Sequence, residues 1–158
     1  MKWIFKRKMK YKVGDVFKFE LESGLWGIGR IIKICVETVF VEVFKIKPFT
    51  DIKQIDLTKL DTEKILIMEW CYDTGLDNGM WEIINNIAVD KNFEMPYFGT
   101  TSSDGKYYLI KGGDTARGIG DPIEVSKEEA QKAYLFGISN EIVLPLRCID
   151  RFKELNMI

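Results

Sequence analysis

Residues 13–46, VGDVFKFELESGLWGIGRIIKICVETVFVEVFKI, decide how this chain folds. Phe17, Phe19 and Leu21 alternate with Val16, Lys18 and Glu20, and after a second, mostly apolar run over residues 25–34, Val39, Val41 and Val43 alternate with Phe40, Glu42 and Phe44. Alternation with a period of two is typical of strands. The stretch therefore predicts three consecutive strands, of which the first two are joined by the turn Glu22-Ser23-Gly24.

The second of these strands has one bare side. Because side chains point alternately to the two sides of a strand, Gly27 and Gly29 lie on one side and Trp26, Ile28 and Arg30 on the other. Two glycines on one side leave a strip of uncovered backbone. Such a strip marks either a bend in a curled sheet or the close approach of another chain, and we favour the bend.

The rest of the chain predicts more strands and a few short helices. Strands are expected at residues 64–72, 80–84, 107–110 and 123–125, and helices at residues 52–60, 127–135 and 145–152. We expect Thr50 or Asp51 to cap the first of these helices, and Ser126, with Glu129 as its partner in a capping box, to cap the second. In the last helix we expect Leu146, Ile149 and Phe152 to face the core, because their spacing follows the helical period.

Three segments lack a regular pattern and are rich in glycine, asparagine, aspartate or proline. We expect a surface loop at residues 73–79, an irregular segment at residues 90–101 and a flexible connection at residues 111–120. The predicted fold is a strand-dominated α+β domain. It consists of a curled antiparallel sheet or partly open barrel of six to seven strands, with two to three short helices.

Charge divides the chain into two parts. The first twelve residues carry six basic and no acidic side chains, which leaves 17 basic and 24 acidic side chains in residues 13–158. We therefore expect a basic N-terminal arm over residues 1–12 and a single acidic domain over residues 13–158. An acidic domain favours a basic protein over nucleic acid as its partner.

The first residues begin like a secretory signal, but charges interrupt them before an apolar run of secretory length forms. No later segment approaches the roughly 20 apolar residues that span a bilayer. The sequence therefore predicts a cytoplasmic protein without a membrane partner.

Two residue types restrict the chemistry of the chain. Histidine is absent, which removes the commonest general acid–base group and the commonest metal ligand. Cys35, Cys71 and Cys148 are odd in number and lack C-x-x-C spacing, so we expect small buried apolar side chains and neither disulfides nor a zinc site. We therefore expect no catalytic residue, no metal and no cofactor.

The opening stretch resembles the N-terminal signature of the immunity protein 26 family. The residues that carry the resemblance are Lys12-Val13-Gly14-Asp15-Val16-Phe17, Gly24, Gly27-Ile28-Gly29-Arg30-Ile31 and Val39-Phe40-Val41-Glu42-Val43-Phe44. A tryptophan-led strand, Trp81-Glu82-Ile83-Ile84-Asn85-Asn86, also matches, with asparagines where the family has glycine. The resemblance covers about the first 100 residues. It implies a non-enzymatic inhibitor that binds a bacterial toxin domain and protects the cell that makes it.

Many bacterial toxin domains are nucleases with basic clefts, so the resemblance directs attention to acidic and aromatic side chains near the predicted loops. The candidate acids are Asp73, Asp77, Glu82, Asp90 and Glu94, and the candidate aromatic anchors are Tyr72, Trp81, Tyr97 and Phe98. Arg30 has two possible roles. It pairs with Asp15 or Glu42 to avoid an unpaired buried charge, or it contacts the partner.

Two other functions remain open at this point. The MazF/PemK toxin ribonucleases also begin with a Gly-Asp-Val strand and use arginine and a hydroxyl, which would make Arg30 with Ser23 or Thr38 the catalytic pair. Their arginine-proline start of the second strand is absent here, and an acidic domain repels RNA. The other function is a module that binds peptide or nucleic acid on a platform of Trp26, Phe40 and Phe44, although their alternation fits core packing better.

Overall fold

A computed structural model describes residues 10–158, so most of the basic arm predicted over residues 1–12 lies outside the described residues. The strands, in chain order, are β1 (Asp15–Glu22), β2 (Leu25–Cys35), β3 (Thr38–Phe44), β4 (Ile65–Tyr72), β5 (Glu82–Asn86), β6 (Tyr97–Thr101), β7 (Tyr107–Gly112), β8 (Gly118–Val125), β9 (Tyr134–Leu135) and β10 (Ile138–Ser139). The helices are α1 (Thr74–Asp77), α2 (Lys127–Lys132) and α3 (Val143–Glu154). Two 3₁₀ turns, Ile52–Gln54 and Leu57–Thr62, join β3 to β4.

These strands form two sheets. The larger sheet has the order β10-β4-β3-β2-β1-β5, and the smaller sheet has the order β8-β7-β6-β9. Neighbouring strands are antiparallel except β10 against β4 and β9 against β6. The strand-dominated α+β class is confirmed, and neither sheet closes into a barrel. The described strands number ten in two sheets, where six or seven in one sheet were expected, because β6, β7, β8 and β9 form a sheet of their own and because β9 and β10 are strands of only two residues.

One side of the larger sheet packs against α3. Leu144, Cys148 and Phe152 of the helix are fully buried there, together with apolar side chains of β1, β3 and β4. Phe17 and Phe19 of β1 lie directly opposite Gly29 and Gly27 of β2. Their rings cover the bare strip, since a Cβ at Gly29 would lie 2.6 Å from Cζ of Phe17. The strip therefore makes room for aromatic rings of the neighbouring strand, which neither predicted explanation included.

The other side of the larger sheet carries two separate apolar clusters. One surrounds Ile28, Phe44 and the turns between β3 and β4, and the other surrounds Phe40, Trp70 and Phe98 where the smaller sheet packs. Arg30 and Glu42 are paired residues of β2 and β3 and lie between these clusters.

Several local predictions are wrong. The surface loop at residues 73–79 contains α1, the irregular segment at residues 90–101 contains β6, and the connection at residues 111–120 is a hairpin from which β8 starts at Gly118. The expected helix at residues 52–60 consists of two 3₁₀ turns. Leu146 is 57% exposed, because α3 uses Leu144 and Cys148 on its inner face.

Other local predictions are confirmed. Asp51 caps the first 3₁₀ turn by accepting a hydrogen bond from the N–H of Lys53, and Ser126 accepts one from the N–H of Glu129 at the start of α2. Ile149 and Phe152 face the core. Cys71 and Cys148 are buried, as expected, whereas Cys35 is half-buried.

Within residues 10–158, no helix has both the length and the apolar content needed to cross a bilayer.

Candidate partner-binding surface

Two acid-bearing segments leave the larger sheet at the same end. Tyr72 closes β4 opposite Thr38, and Asn86 closes β5 opposite Asp15. Since β2 and β3 are joined at this end by residues 36–37, the start of α1 and the loop at residues 87–96 both emerge there. The fold thus brings two sequence segments that carry predicted acids to one end of the molecule.

The predicted acids at this end differ in their availability. Asp77, Asp90 and Glu94 are exposed. The backbone N–H of Asn92 donates to Oδ1 of Asp90 at 2.8 Å, which holds the loop in a turn around that carboxylate. Asp73 is partly buried, and the hydroxyl of Tyr11 donates to its Oδ2 at 2.5 Å. This hydrogen bond therefore joins Tyr11, which precedes β1, to the residue at the start of α1.

Glu82 lies apart from that end. It begins the edge strand β5, opposite Lys18 of β1, and its Oε2 is 3.3 Å from the Lys18 ammonium nitrogen. The Glu82 side chain remains 63% exposed. This ion pair is a surface contact, which contributes little to stability and leaves the carboxylate accessible.

The four predicted aromatic anchors fall into two groups. Tyr72 and Tyr97 are 46% and 44% exposed. Trp81 is only 3% exposed and stacks on Phe17, with ring centroids 4.8 Å apart and planes at 11°. Phe98 is 2% exposed and meets Phe40 edge-on. The expectation that Trp81 and Phe98 serve as accessible anchors is wrong, because both rings belong to the core.

Arg30 is bound within the protein. Its Nε donates to Oε1 of Glu42 at 2.8 Å, its Nη1 donates to Oδ1 of Asp61 at 2.8 Å, and the guanidinium lies over the ring of Phe44. The predicted pairing with Glu42 is confirmed. Pairing with Asp15 is not observed, since Asp15 accepts hydrogen bonds from Lys12 and Asn86 instead.

The catalytic pair of the ribonuclease alternative is not assembled. Thr38 donates its hydroxyl to the carbonyl of Cys35, and it lies four residues along β3 from Glu42, the partner of Arg30. Four residues of strand span about 13 Å. Ser23 lies in the exposed turn between β1 and β2. Arg30 is therefore distant from both hydroxyls and occupied by two carboxylates.

The proposed stacking platform is also unavailable as a surface. Phe40 and Phe44 are buried in the two separate apolar clusters, and the Lys18 ammonium lies over the half-buried ring of Trp26. This arrangement confirms that the alternation of these aromatics reflects core packing.

Two carboxylates are buried beneath the sheet surfaces. Burial raises the pKa of Glu42 above its ordinary value, although Arg30 acts in the opposite direction. Burial likewise raises the pKa of Glu69, opposed by Ser139 and Arg147. Each carboxylate lies next to an arginine, so we interpret both contacts as structural.

Among residues 10–158, His, Cys, Asp and Glu side chains form no group of three or more that could hold a metal ion.

Sequence reasoning missed an exposed apolar segment next to α1. Ile142, Val143 and Leu146 are all exposed at the start of α3. The hydroxyl of Thr74 in α1 donates to the carboxylate of Glu141, which joins α1 to this segment. We call Ile142, Val143 and Leu146 the apolar flank. The signal was the spacing of Val143 and Leu146, which places them together on the side of α3 away from Leu144 and Cys148.

A scan of protein-family models matches the family described as Immunity protein 26 to residues 12–108. The match covers more than half of the chain and extends from the start of the larger sheet into β7. Neither the curated proteins nor the solved structures gave a match. The segments α2, β9, β10 and α3 lie beyond the matched residues.

Proposed function

Because the chain belongs to the immunity protein 26 family, we propose that it binds a cognate bacterial toxin domain and neutralises it by covering the toxin's active site. Immunity proteins of this kind are generally non-enzymatic. The observed chemistry agrees with a binding role, since Arg30, the arginine of the ribonuclease alternative, is held by Glu42 and Asp61.

The observation that carries the proposal is the acidic end of the larger sheet. Asp77, Asp90 and Glu94 are exposed there, and Tyr72 offers an exposed ring at the end of β4. The apolar flank adjoins α1 through the Thr74–Glu141 contact. Protein interfaces combine an apolar, aromatic centre with a polar rim, and this combination is present at one end of the molecule.

The partner that fits this end is a basic protein surface. Residues 13–158 carry 17 basic and 24 acidic side chains, so the described domain attracts cations at long range. A nuclease toxin has a basic cleft for its nucleic-acid substrate, and acidic side chains of an inhibitor can occupy it. Opposite charges also accelerate the encounter between inhibitor and toxin.

Growth of a sensitive bacterium tests the proposal. Cells express the toxin domain encoded by the neighbouring open reading frame, with or without this protein. We expect growth to be restored by the natural chain and by Arg30→Lys, which retains a positive charge between the two carboxylates. Cell death in both cultures, or RNA cleavage by the purified protein alone, would contradict a role as an immunity protein.

A further inference from the structure

A cleft of about 1200 Å³ lies beside β4 of the larger sheet. Its walls come from β4, β6, β7, α2, β9 and α3. Three of these six elements, α2, β9 and α3, lie beyond residue 108, where the family match ends. The acidic end of the molecule does not form this cleft, so it is a separate feature that the proposed function does not use.

The cleft is basic although the domain is acidic. Lys127 and Lys132 line it from α2, and Arg147 and Arg151 line it from α3. One carboxylate, that of Glu154, also lines the cleft and lies 2.9 Å from Nη1 of Arg151. Arg147 has a second carboxylate partner, Glu69, so four cations face two carboxylates. The remaining excess of positive charge, on low-dielectric walls, favours an anion in the cleft.

A buried carboxylate holds Arg147 in position. Its Nη1 is 2.7 Å from Oε1 of Glu69, whose side chain is 1% exposed. Glu69 lies on β4, so the contact fixes an arginine of α3 against the larger sheet. A guanidinium has five N–H donors. The contact through one nitrogen therefore leaves donors that a ligand in the cleft can use.

Aromatic rings complete the lining. Tyr97 and Tyr107 come from β6 and β7, and Tyr134 comes from β9. Tyr107 and Tyr134 are half-buried. Guanidinium groups recognise phosphate through paired hydrogen bonds, and tyrosine rings stack on nucleobases. Clefts that enclose small ligands typically measure about 300–1,000 Å³, so this one has room for a base, a ribose and phosphates.

We propose that this cleft binds a nucleoside polyphosphate. Arg147, Arg151 and Lys132 hold the phosphates, and the base lies against Tyr107. Inorganic phosphate has the negative charge but no base that could stack on a tyrosine ring. An acidic peptide has neither phosphate groups nor a base. The cleft therefore favours the nucleotide over both.

Calorimetric titration of the purified full chain with ADP at low salt tests the proposal. We expect saturable binding that weakens as salt is added, weaker binding of pyrophosphate, and no binding of adenosine. Arg151→Gln and Lys132→Gln should each weaken ADP binding by about tenfold, because each removes a charge-assisted hydrogen bond. Arg117→Gln and Lys53→Gln are the matched controls, since both residues are exposed and lie outside the cleft.

The ring contact has its own test. Tyr107→Ala should weaken ADP binding and leave pyrophosphate binding unchanged, whereas Tyr107→Phe should keep both. Arg147→Gln is avoided, because it leaves Glu69 buried opposite a neutral side chain. Absence of ADP binding, equal affinity for pyrophosphate and ADP, or tighter binding of an oligoglutamate peptide would each overturn the proposal. None of these outcomes affects the proposed toxin binding, because the variants leave Tyr72, Asp77, Asp90, Glu94 and the apolar flank unchanged.

Discussion

Gly29 shows how one residue position depends on its neighbour across the sheet. Strand alternation alone placed Gly27 and Gly29 on one side of β2, and the structure confirms that placement. The alternation did not reveal what covers them. That required the register of β1 against β2, which sets Phe17 opposite Gly29 and Phe19 opposite Gly27. A large ring on one strand then fills the space that a glycine leaves on the other.

Substituting these two glycines should have unequal effects. A Cβ at Gly29 would lie 2.6 Å from Phe17 and 3.1 Å from the backbone oxygen of Glu42, whereas a Cβ at Gly27 would lie 3.3 Å from Phe19. We expect Gly29→Ala to lower the free energy of unfolding by about 1–3 kcal/mol. Gly27→Ala, its matched control, should lower it by less than about 1 kcal/mol. Urea unfolding measures both, and equal losses would contradict the ring-filling explanation.

Glu69 gives a prediction for pH. Burial raises its pKa from the ordinary value of 4.5, so the folded state holds the proton more tightly than the unfolded state. The stability contributed by this group is therefore present below pH 4.5 and is lost as the pH rises through the raised pKa. Relative to Glu69→Gln, the natural protein should lose at most about 1.4 kcal/mol of unfolding free energy per pH unit in that window.

Urea unfolding at several pH values between 4 and 8 measures this difference. The exposed Glu128→Gln, which likewise replaces one carboxylate by an amide, is measured alongside as the control variant. If the difference in unfolding free energy between the natural protein and Glu69→Gln stays constant with pH, the prediction is wrong. It is also wrong if the natural protein gains stability over the variant as the pH rises. Either result would show that the pKa of Glu69 is not raised in the folded state.

Individual elements were predicted best where a side chain supplies its own local signal. The caps at Asp51 and Ser126 follow from side-chain hydrogen bonds within a few residues, and both are present. The strand β6 was missed and β8 was predicted only over residues 123–125, because glycine weakens the strand signal. Gly99 of β6 faces α2 so closely that a Cβ would lie 2.0 Å from the carbonyl oxygen of Ala130. Such long-range contacts are not visible in the local sequence.

The contact between β2, β3 and the second 3₁₀ turn depends on Arg30. Its side chain is 11% exposed, that of Glu42 is 4% exposed and that of Asp61 is 60% exposed. Arg30→Ala leaves the Glu42 carboxylate buried and unpaired, so we expect a loss of about 3–5 kcal/mol of unfolding free energy. Asp61→Asn breaks only a surface contact and should cost less than about 1 kcal/mol.

Thermal and urea unfolding of the two variants distinguish these cases. Glu42→Gln with Arg30→Met tests the same contact by removing both charges at once. That double variant should be more stable than Arg30→Ala alone, because no buried charge remains unpaired. If Arg30→Ala has the same free energy of unfolding as the natural protein, Arg30 does not stabilise the fold. A functional role for Arg30 would then be the better explanation.

At the scale of the whole molecule, two sheets place an acidic end and a basic cleft on different parts of the described chain. The sequence correctly indicated exposure for Asp77, Asp90 and Glu94. It did not reveal that Trp81 and Phe98 are buried, because an aromatic residue beside a turn has the same local pattern in the core and at the surface. The apolar flank was also missed, since one helix turn can face either way until its packing partner is known.

Charge reversal tests the acidic end. Asp77→Lys with Asp90→Lys should weaken binding to the toxin domain by at least about tenfold, and the weakening should shrink as salt is added. The melting temperature should fall by no more than about a few degrees, because the lost contacts, among them the hydrogen bond from Asn92 to Asp90, lie at the exposed surface. Glu128→Lys on α2 is the matched control, and it should bind normally. Unchanged affinity in the double variant would remove these acids from the interface.

Titration of toxin activity with the purified protein tests most directly whether this chain neutralises its toxin by binding to it and covering its active site. The toxin domain is held at a fixed concentration well above the dissociation constant, and its residual activity is measured as the protein is added. We predict that activity falls linearly and disappears when the two proteins are present in equal molar amounts. Complete loss of activity at a small fraction of that amount, which would indicate turnover, or full activity in excess protein, would contradict the account.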